Sequence, residues 1–232
     1  MIRRAYRTAG VDPTGDHFGV TLDGKPMRTP AKAPLAVPVR ALAEAIAAEW
    51  QAQGDMVDPA TMPMTRVASI AIDLVAPRRQ EVVRNIVKYA DTDLVCYRAG
   101  HPPDLVARQQ AVWQPLVAWV EERYGARLAV TEGIVPQRQT EAALGAIEAA
   151  VGAYDPWALA ALNLATVACG SVVVALALAE GRLDAAAAFA AAEIEASYEI
   201  EQWGEDAEQT RRRALLRDDI AASARFLALL GA

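Results

Sequence analysis

Histidine and cysteine are scarce in this 232-residue sequence, two of each, and aromatic residues make up only 6% of it. His17 and His101 lie far apart and neither has a metal-ligating partner four residues away; Cys96 and Cys169 belong to no CxxC. The spacings that build transition-metal sites are therefore missing, and no metal is expected. Two distant thiols read as buried, reduced side chains of a protein kept in a reducing compartment. Also missing are GxxxxGK[ST], a GxGxxG after a strand, and the GxSxG nucleophile elbow, so no phosphate cradle, cofactor or serine nucleophile is expected. Basic charge is in deficit, with 23 Lys and Arg against 29 Asp and Glu and a net charge of −6. That balance argues against general nucleic-acid binding, which needs basic surface to displace counterions. The opening "MIRRAYRTAG" carries basic residues but no apolar stretch behind them, which is not the pattern of a secretory signal.

One long uncharged run exists, "ALAALNLATVACGSVVVALALA" over residues 158–179. Its length alone would span a membrane. Asn163, Thr166, Gly170 and Ser171 dilute it, and no second such run occurs, so it reads as a buried core helix of a soluble protein. Ser171 within it is expected to bond back to a helix carbonyl.

The N-terminal part reads as β. Phe18, Val20 and Leu22 alternate with small or polar residues, and Asp23-Gly24 supplies the positive φ angles of a tight hairpin turn. "APLAVP" at 33–38 suggests a short third strand. The period then changes: Leu42, Ile46 and Trp50 fall at i, i+4, i+8 between Pro38 and Gly54, which predicts a helix. Pro63 opens another, carrying Val67, Ile70 and Leu74. From Pro77 onward helices dominate, with stripes at Val83, Ile86, Val87; at Leu105, Val112, Leu116, Trp119; and at Leu144, Ile147, Val151. The stretch 126–136 reads as a strand or an extended connector. Asp155-Pro156 starts a helix, Asp184 caps another that runs to Gly204, and a last helix carries Leu216, Ile220, Ala224, Leu227 and Leu230. The class is α+β: a small N-terminal α+β domain over 1–76 and a mostly helical domain over 77–232.

The candidate chemistry is thin. Asp91 and Asp93, in "ADTDL", would form an acid/base pair if they shared a pocket; as Asp residues in a turn they equally well cap helix ends. The second candidate is "EIEASYEIEQWGEDAEQTRRR" over 193–213. On a helix Glu195, Tyr198 and Gln202 fall on one side while Ile194 and Ile200 point elsewhere. The acids are strung out rather than gathered as ligands, which leaves a solvated face or an interface; Tyr198 and Trp203 among the charges fit the latter. Arg211, Arg212, Arg213 and Arg217 are placed to return and pair with the acids.

Several blocks in fixed order carry a resemblance: "LDGKPMRTPAKAPLAVP", "AAEWQAQG", "DPATMPMTRVASIAID", "YADTDLVCYRA", "GSVVVALALAEG" and "YEIEQWGED". From about residue 15 to the end the sequence resembles the ATP-twelve (ATP12) family, assembly chaperones for the α subunit of the catalytic head of F-type ATP synthase. The resemblance implies that the helical domain is an orthogonal bundle and that the protein is not an enzyme. It implies a role in holding the unassembled α subunit until the β subunit displaces it, in the bacterial cytoplasm or, in a eukaryote, the mitochondrial matrix. No nucleic acid, stable membrane insertion or small-molecule substrate is implied. Family-sensitive positions fall on Trp50 and on an acid before "QWG", best matched by Glu195 with Glu193 and Glu199 as alternatives. The implied partner surface is Glu195, Tyr198, Glu199, Gln202 and Trp203, with Gly24 and Gly204 as structural positions. The enzyme reading through Asp91 and Asp93 stands as the alternative.

Overall fold

The protein is described here from a computed structural model, over residues 2–133 and 137–231. Strand β1 (Ile2–Arg3) pairs antiparallel with β6 (Met56–Val57). The hairpin strands β2 (Ala9–Thr14) and β3 (His17–Leu22) pair antiparallel, and β4 (Lys25–Pro26) and β5 (Ala36–Val37) both pair with β3. The turn between β3 and β4 has φ of 49° at Asp23 and 73° at Gly24, the left-handed pair that a two-residue hairpin requires. Helix α1 (Arg40–Gln51) buries Leu42 and Ile46, and the sheet buries Val20, Leu35 and Val37. Helix α2 (Pro63–Ile70) opens on proline as expected and runs on into a π-helical turn, Ala71–Val75.

Then come α3 (Arg79–Asp91), a 3₁₀ turn (Leu94–Cys96), β7 (Tyr97–Arg98), α4 (Pro103–Tyr124) and β8 (Thr131–Glu132), which pairs parallel with β7. The expected strand or connector over 126–136 thus contains a short strand, and its last three residues, 134–136, lie outside the described residues. The remaining elements are α5 (Glu141–Gly152), α6 (Pro156–Cys169), α7 (Val172–Ala179), α8 (Ala185–Ala192), α9 (Ile194–Trp203) and α10 (Ala207–Leu230). Contacts group the chain into two compact units. One holds Met1–Arg79 with Asp155–Ala161 and Arg225–Ala232; the other holds Gln80–Tyr154 with Leu162–Ala224.

Three helical expectations need correction. The buried face of α4 is set by Leu105, Gln109, Trp113, Leu116, Val117 and Val120, whereas Val112 is 39% exposed. Trp113, with no exposed surface, wins the core position: its ring buries more area than a valine, and its Nε1 donates to the Ala191 carbonyl at 2.8 Å. The run 158–179 is two helices, broken at Gly170 with φ of 62°. Ser171 does not bond back to a helix carbonyl; it is the N-cap of α7 and accepts from the Val174 amide at 3.0 Å. The helix expected from Asp184 to Gly204 is also two, parted at Glu193 (φ −112°, ψ 24°). Asp184 and Asp155 do cap α8 and α6, accepting from Ala187 at 2.7 Å and from Trp157 at 2.8 Å.

Candidate functional site

The break at Glu193 is held by charge. Its side chain is 5% exposed, and its carboxylate accepts from Arg212 at 3.0 and 3.3 Å and from Arg213 at 3.2 Å. Arg213 also donates to Ser197 Oγ at 3.1 Å and lies over the Phe189 ring, where Arg217 joins it at 4.5 Å from the centroid. Two of the four arginines therefore return to the acidic stretch as pairing partners; both meet Glu193, and Arg213 also lies 3.6 Å from Glu205. A buried carboxylate needs that many donors, because leaving one unmade would strand a desolvated charge.

From this anchor α9 runs along α4. Ile194 and Tyr198 face inward, each under one-tenth exposed. This corrects the expectation that Tyr198 shares a face with Glu195 and Gln202. The Tyr198 hydroxyl donates to Asp104 at 3.2 Å, and Arg108 lies 5.4 Å from the ring centroid while pairing with Glu201 at 2.8 Å. These contacts fix the rotation of α9 about its axis. Glu195, Glu199, Glu201, Gln202 and Trp203 are left exposed on α9; Glu201 is taken up by Arg108, and the other four fall at i, i+4, i+7 and i+8. Trp203 is 80% exposed, directly before Gly204, whose φ of 86° ends the helix. Glu195 is tethered at its carboxylate: Oε1 accepts from Gln109 Nε2 at 2.7 Å, and Gln109, fully buried, accepts in turn from the Ala99 amide at 2.8 Å. Partial burial pushes the Glu195 carboxyl up from its ordinary range; the Gln109 bond opposes this, and the Glu199 charge adds to it.

The other acidic candidates are not brought together as a pair. Asp93 has no exposed surface; it accepts from Ser171 Oγ at 2.5 Å and from the amides of Val95 and Val173, both at 3.2 Å. Burial pushes its pKa up to about 6, with those hydrogen bonds holding it from going higher. Asp91 instead accepts from the Gln139 amide at 3.3 Å. Both Asp93 oxygens are engaged by protein donors. Asp93 caps a turn and ties it to the start of α7.

In the first unit, Trp50 packs edge-on against Tyr6 with ring centroids 5.8 Å apart, and its carbonyl accepts from the Tyr6 hydroxyl at 2.7 Å. Its neighbour Glu49, which the sequence reading missed, is 9% exposed and caps α2 from a distance. It accepts from the amides of Met64 and Thr65 at 2.7 and 2.8 Å and from Thr65 Oγ1 at 2.7 Å. The only sequence signal was an acid on an otherwise apolar helix face. Among the described residues no cluster of three or more His, Cys, Asp or Glu is arranged to hold a metal ion, and no helix is long and apolar enough to cross a membrane.

Comparison with known proteins places this geometry. The model of the ATP12 chaperone protein family matches residues 3–121. The mitochondrial protein atp12 of Schizosaccharomyces pombe is 25% identical over 96% of this chain and 81% of its own length. Among solved structures, Atp12 from Paracoccus denitrificans matches with a TM-score of 0.93 at 38% identity, covering 98% of each chain. A protein of Agrobacterium tumefaciens named as a chaperone candidate matches with a TM-score of 0.93 at 42% identity, over 98% of this chain and 86% of that one.

Proposed function

We propose that this chain, which belongs to the ATP12 family of chaperone proteins, holds the unassembled α subunit of the catalytic head of F-type ATP synthase and yields it to the β subunit. The observation that carries this reading is the outward stripe of α9. An indole 80% exposed stands at the end of a helix that also leaves Glu195, Glu199 and Gln202 exposed, with Glu201 beside them paired to Arg108. A large apolar ring left in water beside acids gains by covering an apolar patch on a partner, and the carboxylates match basic residues around that patch. Rim charges of this kind govern encounter and specificity more than affinity, which suits a holder that must let go. On this reading the protein performs no catalysis, takes no cofactor or small-molecule substrate, and works in the bacterial cytoplasm or its mitochondrial counterpart without entering a membrane.

The test is co-expression with the α subunit of the same organism's ATP synthase, followed by size-exclusion chromatography. Soluble α subunit that co-elutes with the chain and passes to added β subunit supports the reading. An α subunit that aggregates whether or not the chain is present overturns it.

A further inference from the structure

The Asp23 amide donates to the Thr8 carbonyl at 2.9 Å, which makes Thr8 and Asp23 a hydrogen-bonded pair of the β2–β3 hairpin. Hydrogen-bonded and non-hydrogen-bonded pairs alternate along an antiparallel ladder. With Ala9 opposite Leu22, Val11 opposite Val20 and Pro13 opposite Phe18, the backbone groups of Ala9, Val11 and Pro13 therefore point away from β3. Val20 fixes the phase independently: its N–H donates to Leu35 and its carbonyl accepts from Met27, on the side away from β2. Among the described residues β2 has no strand on its outer side.

At the start of that edge a side chain stands in for a strand. Gln51 of α1 accepts from the Ala9 N–H at 2.8 Å and donates to the Arg7 carbonyl at 3.2 Å. A residue of a parallel neighbouring strand bridges the same two groups. One step further on, the Val11 N–H and C=O and the Pro13 C=O have no protein partner among the described residues. The Val11 groups open onto a groove of about 420 Å³ lined by Gly10 and Val11 of β2 and by Arg40, Glu44, Ala47 and Ala48 of α1, among others. Gly10 has no side chain and each alanine only a methyl, so the groove has room beside the backbone. Arg40 and Glu44, 3.6 Å apart, give it one charge of each sign. Pro13 blunts the strand two residues on, but the open donor and acceptor at Val11 are left uncovered.

We propose that this edge and groove are a docking site for an extended segment of the client, which adds to β2 as a further strand and continues the pairing that Gln51 begins. The backbone selects the occupant. Open groups that recur at every second residue match an extended chain and not a helix, whose own N–H and C=O groups are already paired. The small walls take side chains that alternate toward α1. This inference rests on the chaperone reading and names a second place where the client is held.

The test uses the full chain and the α subunit. Hydrogen exchange of the Ala9–Thr14 segment is measured in the free chain and in the complex, and capture is compared for Val11→Pro and Ala48→Arg. Val11→Pro removes the open donor without touching the β2–β3 ladder, and Pro13 shows that the backbone accepts proline at an outward position. Ala48→Arg fills the groove from an exposed helix position and covers the case in which Val11→Pro fails to fold. The expected result is slower exchange of the Val11 amide in the complex and about thirtyfold weaker capture by each folded variant, the size of one lost hot spot. Wild-type capture with unchanged exchange at Val11 overturns the docking site and leaves the chaperone reading standing. Failure of the wild-type chain to capture the α subunit overturns both. A free chain that dimerises through this edge, and becomes monomeric on Val11→Pro, assigns the edge to a second copy and overturns the client assignment.

Discussion

The Arg213 guanidinium lies 3.2 Å from the Glu193 carboxylate, with 13% and 5% of their side chains exposed, while Glu195 two residues on stands outward. The three consecutive arginines and the dense acids thus divide into an internal clamp and an outer surface. Breaking a buried pair by removing one partner costs about 3–5 kcal/mol, because the other charge is left desolvated. Glu193→Ala is expected to lower the unfolding free energy by roughly that amount in urea titration. Glu195→Lys takes away the acceptor of the buried Gln109 amide and is expected to cost about 1–3 kcal/mol, while weakening capture of the α subunit. Unchanged co-purification with folded Glu195→Lys would remove Glu195 from the partner surface.

Trp203 gives a cleaner separation of folding from binding. At 80% exposure it contributes little to the core, so Trp203→Ala should leave stability within about 0.5 kcal/mol. An anchor in a binding hot spot is worth about 2 kcal/mol or more, so the same change should raise the Kd for the α subunit by a factor of about 30. Isothermal titration or fluorescence anisotropy with labelled α subunit checks it.

Glu49 and Trp50 are adjacent and act differently. Glu49→Ala orphans the amides of Met64 and Thr65, each a loss of about 1–3 kcal/mol when buried. Glu49→Gln keeps an acceptor and should recover part of that. Trp50→Ala removes the ring that packs on Tyr6 and should cost about 3–5 kcal/mol. Circular dichroism melts of the three variants report the order; a Glu49→Ala protein as stable as wild type would show that α2 does not depend on this remote cap.

Asp93 makes stability depend on pH with a defined sign. Burial raises its folded-state pKa to about 6, above an ordinary carboxylate at about 3.9. Between those values the native state holds a proton that the unfolded state has lost, so the aspartate's contribution falls as pH rises and levels off above about 6. Asp93→Ala orphans Ser171, Val95 and Val173 and should be destabilising throughout. The stability gap between wild type and Asp93→Ala should be larger at pH 4.5 than at pH 7, by up to about 2 kcal/mol. A gap that widens toward pH 7 would mean that the donors around Asp93 outweigh its burial.

Much of the local structure was legible in the sequence because it depends on neighbours in the chain. Asp23-Gly24 must turn, since few other pairs adopt two positive φ angles; Asp155, Asp184 and Pro63 mark helix starts, since a cap reaches only two or three residues ahead. The order of strands, then helices, follows from the change in apolar period after residue 38. Periodicity could not say which of two adjacent apolar residues, Val112 or Trp113, faces inward, because that depends on the Ala191 carbonyl, 78 residues away in the chain, which receives the indole N–H.

The acidic stretch shows the same division. Motif spacing alone set the expectation that no metal or phosphate site is specified, and the sequence of residues 193–203 placed acids and aromatics on one helix. Only tertiary structure decided that Glu193 is sealed under two arginines, that Tyr198 is turned inward by Asp104 and Arg108, and that Trp203 is left in water. Each choice is made by a group distant in sequence that arrives at hydrogen-bonding or stacking distance. The sequence fixes which charges and rings are present, and the packing decides which of them keep their water.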